Sequence, residues 1–152
     1  MSDIEANKAL ARRYFDEFFN GRDIRRAAEV CATEYVEHAV APFGTSEPGA
    51  VEGPEHLKNT VRWLTEQFPD VRMNVEALVA EGDIVVARVE SYGTNLGPLN
   101  GVVKPTGRCF SSRQTHWFRI AGGKIAEHWA TREDLPAMLQ LGVVKPPGRA
   151  AA

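Results

Sequence analysis

Three things are scarce in this 152-residue chain: cysteine, an excess of one charge, and long apolar runs. Cysteine occurs at Cys31 and Cys109, with no CxxC spacing. Spacing alone does not exclude a disulfide, but an intracellular chain with its own core does not need one, and both side chains read as small buried apolar groups. Eighteen basic residues against twenty acidic leave a net charge of −2, which offers no electrostatic footprint for nucleic acid or an anionic membrane. No apolar run approaches the ~20 residues of a membrane span. The start, Met1-Ser2-Asp3-Ile4-Glu5, lacks the basic-then-apolar order of a signal peptide, so a cytoplasmic protein is expected. GxGxxG, GKS/T, GxSxG and HExxH are all missing, and with them the signatures of dinucleotide, phosphate-loop, serine-hydrolase and zincin chemistry. The histidines, His38, His56, His116 and His128, show no i,i+4 or HxH spacing, so no metal site is expected.

What is present is an ordinary globular composition, 43% hydrophobic and 25% charged, which fits a single domain over residues 1–152. Its core runs over about 3–142, and a Pro/Gly/Ala tail closes the chain. Ser2 and Glu5 form a capping box for a helix near Asp3. That helix carries Leu10 or Ala11, Tyr14, Phe15 and Phe18 on one face and stops at Gly21. Asp23 can cap a shorter helix through Ala27, Ala28 and Cys31, followed by a turn holding Tyr35 to His38. A loop spans Pro42 to Gly53. Pro54 then opens a helix lined by Leu57, Val61, Leu64 and Phe68, which Pro69 ends.

Beyond Asp70 the period becomes two. Val71, Met73, Val75, Ala77 and Val79 alternate, Gly82-Asp83 turns the chain, and Ile84 to Thr94 continues as a strand. An irregular stretch from Asn95 to Gly107 precedes a long strand, Arg108 to Ile120, the turn Gly122-Gly123, and a strand from Ile125 to Thr131. Asp134 opens a last helix through Leu135, Met138 and Leu141, ended by Gly142. Helices first and four antiparallel strands afterwards imply an α+β fold: a curved antiparallel sheet wrapped by N-terminal helices, one sheet face covering a cavity or a partner.

Gln114, His116 and Phe118 lie two apart and share a strand face. An amide, an imidazole and a ring there could polarise a carbonyl, move a proton and hold an apolar substrate. A two-residue turn at Gly122-Gly123 sets His116 opposite Trp129, whereas a three-residue bulged turn sets it opposite His128. In the second case Trp117 and Trp129 lie on the other face and suggest a subunit contact. Glu37 and His38 form a polar pair, either at the surface or roofing the open sheet. Glu133 and Asp134 read as the charge and cap of the last helix.

In order along the chain stand Ala11-Arg12-Arg13, Phe18-Phe19-Asn20-Gly21-Arg22, Glu34-Tyr35-Val36, Gly53-Pro54-Glu55 and Phe68-Pro69-Asp70. Tyr92-Gly93-Thr94, Pro105-Thr106-Gly107-Arg108, Gly123-Lys124-Ile125, Glu127-His128-Trp129 and Gln140-Leu141-Gly142 follow. In these pieces the chain resembles the SnoaL-like polyketide cyclases of the nuclear-transport-factor-like superfamily. The resemblance implies a cone with a hydrophobic pocket, a homodimer, and ring closure by intramolecular aldol condensation without metal or organic cofactor. It places the family's pocket Gln and His on Gln114 and His116, its Asn near Glu37, and its acid/base Asp on Ala130. Alanine transfers no proton, so three readings follow. One is acid/base cyclisation or isomerisation by His116, Gln114 and Glu37 or Glu133. The second is a shape-driven pericyclic closure. The third is a non-catalytic binder of a small apolar molecule. A buried carboxylate near His116 would favour the first, an apolar tunnel the second, and a filled pocket the third. The expected pocket comprises Tyr14, Phe18, Tyr35, His38, Leu64, Phe68, Tyr92, Phe118, His128, Ala130, Glu133 and Met138.

Overall fold

The computed structural model describes residues 3–42 and 47–148. Helix α1, Asp3–Arg13, continues without a break into a π-helical segment, Tyr14–Asn20. The i→i+5 pattern widens the turn, and Tyr14, Phe15, Phe18 and Phe19 all become buried. Ser2 of the expected capping box lies outside the described residues. A 3₁₀ turn, Ile24–Arg26, and the four-residue α2, Ala27–Val30, follow. Asp23 caps neither, because its carboxylate is bonded to Arg25.

The sheet has six strands rather than four. β1, Cys31–Glu37, and β2, Ala50–Val51, occupy stretches expected to be helix end, turn and loop. The remaining strands are β3, Arg72–Glu81, β4, Ile84–Thr94, β5, Cys109–Ala121, and β6, Lys124–Arg132. Their order is β2-β1-β6-β5-β4-β3, and β1 lies parallel to β6 while every other neighbouring pair is antiparallel. Two bulges reset the register. One in β3, between Val75 and Ala77, turns Leu78 and Ala80 inward and leaves Val79 61% exposed, against the simple alternation. The other lies in β6 just past the turn: Ala121 pairs with Lys124, but Arg119 pairs with Glu127. His116 therefore faces Ala130, which neither turn alternative gives, and Trp117 faces Trp129.

α3, Pro54–Gln67, and α4, Asp134–Leu141, stand where the sequence places them. Gly142 closes α4 in the left-handed region, at φ 75°. Gly97 is needed for a different reason: a Cβ there would sit 1.7 Å from the Glu66 carbonyl. That close approach ties the loop after β4 to the end of α3, helped by buried Asn95, which bonds Gly97 and Thr106.

Two apolar clusters form. The larger packs α1, the π-helical segment, α2 and α3 on the concave sheet around Phe15, Phe18, Tyr35 and Phe118. The smaller joins Phe68, Val71, Leu99, Phe110, Ala137 and Leu141. Cys31 is buried as expected. Cys109 is exposed, because β5 alternation gives Phe110 the inward position.

Candidate active site

A cavity of about 480 Å³ opens between helices and sheet, with walls drawn from both clusters. Its size is that of a small-molecule site. Met73, Leu64, Phe68, Leu99, Phe110, Met138 and Leu141 make it apolar over much of its length. Its polar end is built by three strands.

On β5, inward alternation delivers Gln114 and His116, both buried. On β6 it delivers His128, and on β1 Glu37, whose backbone is paired with His128. The four side chains form one hydrogen-bonded row. Glu37 Oε1 lies 2.8 Å from His128 Nδ1. His128 Nε2 lies 2.8 Å from His116 Nδ1, and His116 Nε2 lies 2.8 Å from Gln114 Oε1. Glu37 is further held by the Tyr35 hydroxyl at 2.5 Å and the Ala39 amide at 2.9 Å, with His56 Nε2 at 3.4 Å. Phe15, Phe118 and Tyr14 pack against the imidazoles.

The electrostatics follow from these contacts. Burial opposes the Glu37 charge, but bonds from His128, His56 and Tyr35 outweigh it and hold the carboxyl well below the usual range. Burial also pushes His116 far below an ordinary imidazole, reinforced by the charges of His128 and Arg132, although Glu37 pulls the other way. His116 is thus neutral at neutral pH. The Tyr35 hydroxyl is driven up by burial and by its anionic and phenolic neighbours, so it stays a donor.

Of the expected site residues, Glu37, Gln114, His116, His128, Tyr14, Leu64, Phe68 and Met138 line the cavity. The others do not. Phe18 is wholly within the core, and the π-helical turn presents Phe19 instead. Tyr35 sits behind Glu37 as its donor, and Phe118 is sealed beneath the imidazoles. Ala130 occupies the position opposite His116 but contributes nothing to the lining. His38 is on the outer face, stacked on Trp129 at 4.6 Å and bonded to Glu127. Tyr92 points outward because Ser91 takes the inward alternation. Glu133 turns away to Arg113. Arg132, Asp134, His56 and Ser112 also line the cavity and were missed. The run His128, Ala130, Arg132 carries the alternation that would have shown Arg132. Among the described residues, no three His, Cys, Asp or Glu side chains gather as a metal site requires. Nor is any helix there long and apolar enough to cross a membrane.

Comparison with known proteins agrees with this architecture. The sequence profile of the SnoaL-like polyketide cyclases matches residues 9–141. Nogalonic acid methyl ester cyclase of Streptomyces nogalater is 33% identical over 110 residues, covering 72% of this chain and 81% of that protein. Among solved structures, TsrD of Streptomyces laurentii superposes with a TM-score of 0.77 at 27% identity, covering 95% of this chain and all (100%) of its own. IdmH of Streptomyces antibioticus, a candidate polyketide cyclase, gives 0.75 at 28% identity, with 90% and 98% covered. With a profile match over most of its length and a cyclase relative at this identity, the chain belongs to the SnoaL-like polyketide cyclases.

Proposed function

We propose that the chain closes a ring on a polyketide by acid/base catalysis at His116 Nε2, with Glu37 and His128 supplying the charge that Ala130 does not. The single observation carrying this reading is the unbroken row Glu37–His128–His116–Gln114 at the cavity wall.

Two proton arrangements satisfy every contact in that row. In one, His128 is an imidazolium between the Glu37 carboxylate and His116 Nδ1, and His116 donates Nε2–H to Gln114 Oε1. In the other, His128 is neutral, His116 carries its proton on Nδ1, and the Gln114 amide is turned so that Nε2 meets the ring. The difference is one proton at His116 Nε2, and both states keep all four imidazole nitrogens of the row hydrogen-bonded. Neutral His116 can therefore take a proton from the carbon beside a carbonyl while its Nδ1 proton passes to His128. The carbanion equivalent adds to a second carbonyl, forming the carbon–carbon bond. The resulting alkoxide recovers the proton from His116, and the row resets. Glu37 stabilises the transient His128 imidazolium as an orienting carboxylate does in a catalytic triad. Gln114 donates its amide to the carbonyl oxygen.

A buried carboxylate joined to His116 through one imidazole weighs against a purely shape-driven closure, which needs no such groups. A cavity of this size weighs against the filled pocket of a non-enzymatic relative. No metal or organic cofactor enters any of these steps. The outer sheet face, where Trp117 is 47% exposed beside Trp129, fits a second copy of the chain. The test substrate is nogalonic acid methyl ester, named by the relative above. Ring closure by the wild type, lost in His116→Gln, supports the reading, and closure at equal rates by both overturns it.

A further inference from the structure

Arg132 ends β6 one alternation beyond Ala130, and its backbone pairs with Gln114 on β5. Its guanidinium is only 16% exposed and contributes to the cavity wall. Two of its three nitrogens are committed. Nε and Nη2 meet the Asp134 carboxylate at 3.2 and 3.3 Å, and Nη2 also donates to the Val40 carbonyl. Those bonds fix the plane of the fork from its outer edge. Nη1 makes no hydrogen bond among the described residues, and the Gln114 amide, turned with its nitrogen toward neutral His116, keeps a second N–H that no residue of the row accepts.

We propose that Arg132 Nη1 and the Gln114 amide together form the oxyanion site of this enzyme, receiving the oxygen that turns negative when His116 removes the neighbouring proton. Two donors on adjacent strands, held before any substrate arrives, are what such stabilisation requires. A cation here also explains a second feature. The Arg132 charge disfavours protonation of His116, so the group that steadies the enolate also keeps the base neutral. Asp134 offsets part of this charge from the Nε and Nη2 side, with its carboxylate 41% exposed, and leaves Nη1 as a donor. The ligand class follows: a ketone or ester flanked by an acidic C–H, or a phenol that ionises as the enolate would. This deepens the acid/base reading and rests on it.

A phenol tests the site without turnover. Alizarin changes colour on ionisation, so its titration in the cavity reads the anion stabilisation directly. Bound to the wild-type protein, alizarin should ionise about one pH unit lower than on Arg132→Met, a roughly tenfold difference. Arg132→Lys, which keeps the charge without the fork, should recover part of the shift. Chemical denaturation of each variant shows that the fold is intact, and a merely structural strap would leave the bound phenol's titration unmoved. Equal ionisation on wild type and Arg132→Met, or no binding of alizarin to the wild type, overturns the proposal. His116→Gln separates the two readings. If that variant is inactive while alizarin titrates alike on wild type and Arg132→Met, the oxyanion site alone falls. If His116→Gln turns over normally, the acid/base reading falls with it.

Discussion

Two glutamate–histidine pairs sit side by side where the end of β1 meets β6, one turned into the cavity and one outward. Inside, Glu37 meets His128 at 2.8 Å, with each side chain 5% exposed. Outside, His38 meets Glu127 at 3.0 Å, with the two side chains 26% and 22% exposed. The residues are sequence neighbours, Glu37 closing β1 with His38 just past it, and Glu127-His128 on β6. The inner pair is continued by His116 and Gln114 into the cavity. The outer one ends on Arg119 and a tryptophan ring. Residue type is common to both, so burial and continuation separate the proposed catalytic row from a half-exposed hydrogen-bonded pair.

Variants that break one pair and spare the other sharpen this contrast. The largest effect is expected from His116→Gln, where turnover of the proposed test substrate should drop by roughly 10²–10⁴-fold. His38→Gln should change it less than twofold, and steady-state kinetics on both variants reads the difference. Next comes Glu37→Gln, which takes the anion out of a buried hydrogen-bonded row and should cost about 2 kcal/mol in denaturant unfolding. Glu127→Gln, at the surface, should cost under ~1 kcal/mol.

A smaller effect is expected in the pH dependence of stability. Glu37 and His116 both have folded-state pKa values below their unfolded ones. Between the two values the unfolded chain binds more protons, so stability falls as pH falls. The loss should begin near pH 6.5 through His116 and steepen near pH 4.5 through Glu37. Thermal melts should show that first shoulder in the wild type and lack it in His116→Gln. The smallest effect on catalysis is expected from Trp117→Arg. It should lower the light-scattering mass from dimer to monomer while changing turnover less than twofold.

How much of this was legible in sequence depended on how local each signal was. Helices α3 and α4 announce themselves by Pro54, Gly142 and their apolar spacing. The face shared by Gln114, His116 and Phe118 needs only the period of a strand. β1 was not legible, because it is held by parallel pairing to β6, about ninety residues later (Glu37 opposite His128). With β1 read as helix and turn, Glu37 could not be set against His128. Each bulge adds one residue to a register, and no residue at Glu76 or Ala126 marks the place. Tyr92 and Phe18 failed for simpler reasons, one a single step of alternation and the other a turn widened from α to π.

The central claim is that a buried proton row ends on His116, and ¹⁵N NMR of histidine-labelled protein reads it most directly. The account predicts that His116 stays neutral well below the pH at which an ordinary imidazole titrates, joined to His128 by a slowly exchanging ring N–H, and that this signal disappears in Glu37→Gln. Titration of His116 near pH 6.5, with ring protons exchanging freely with water and indifferent to Glu37, would contradict it.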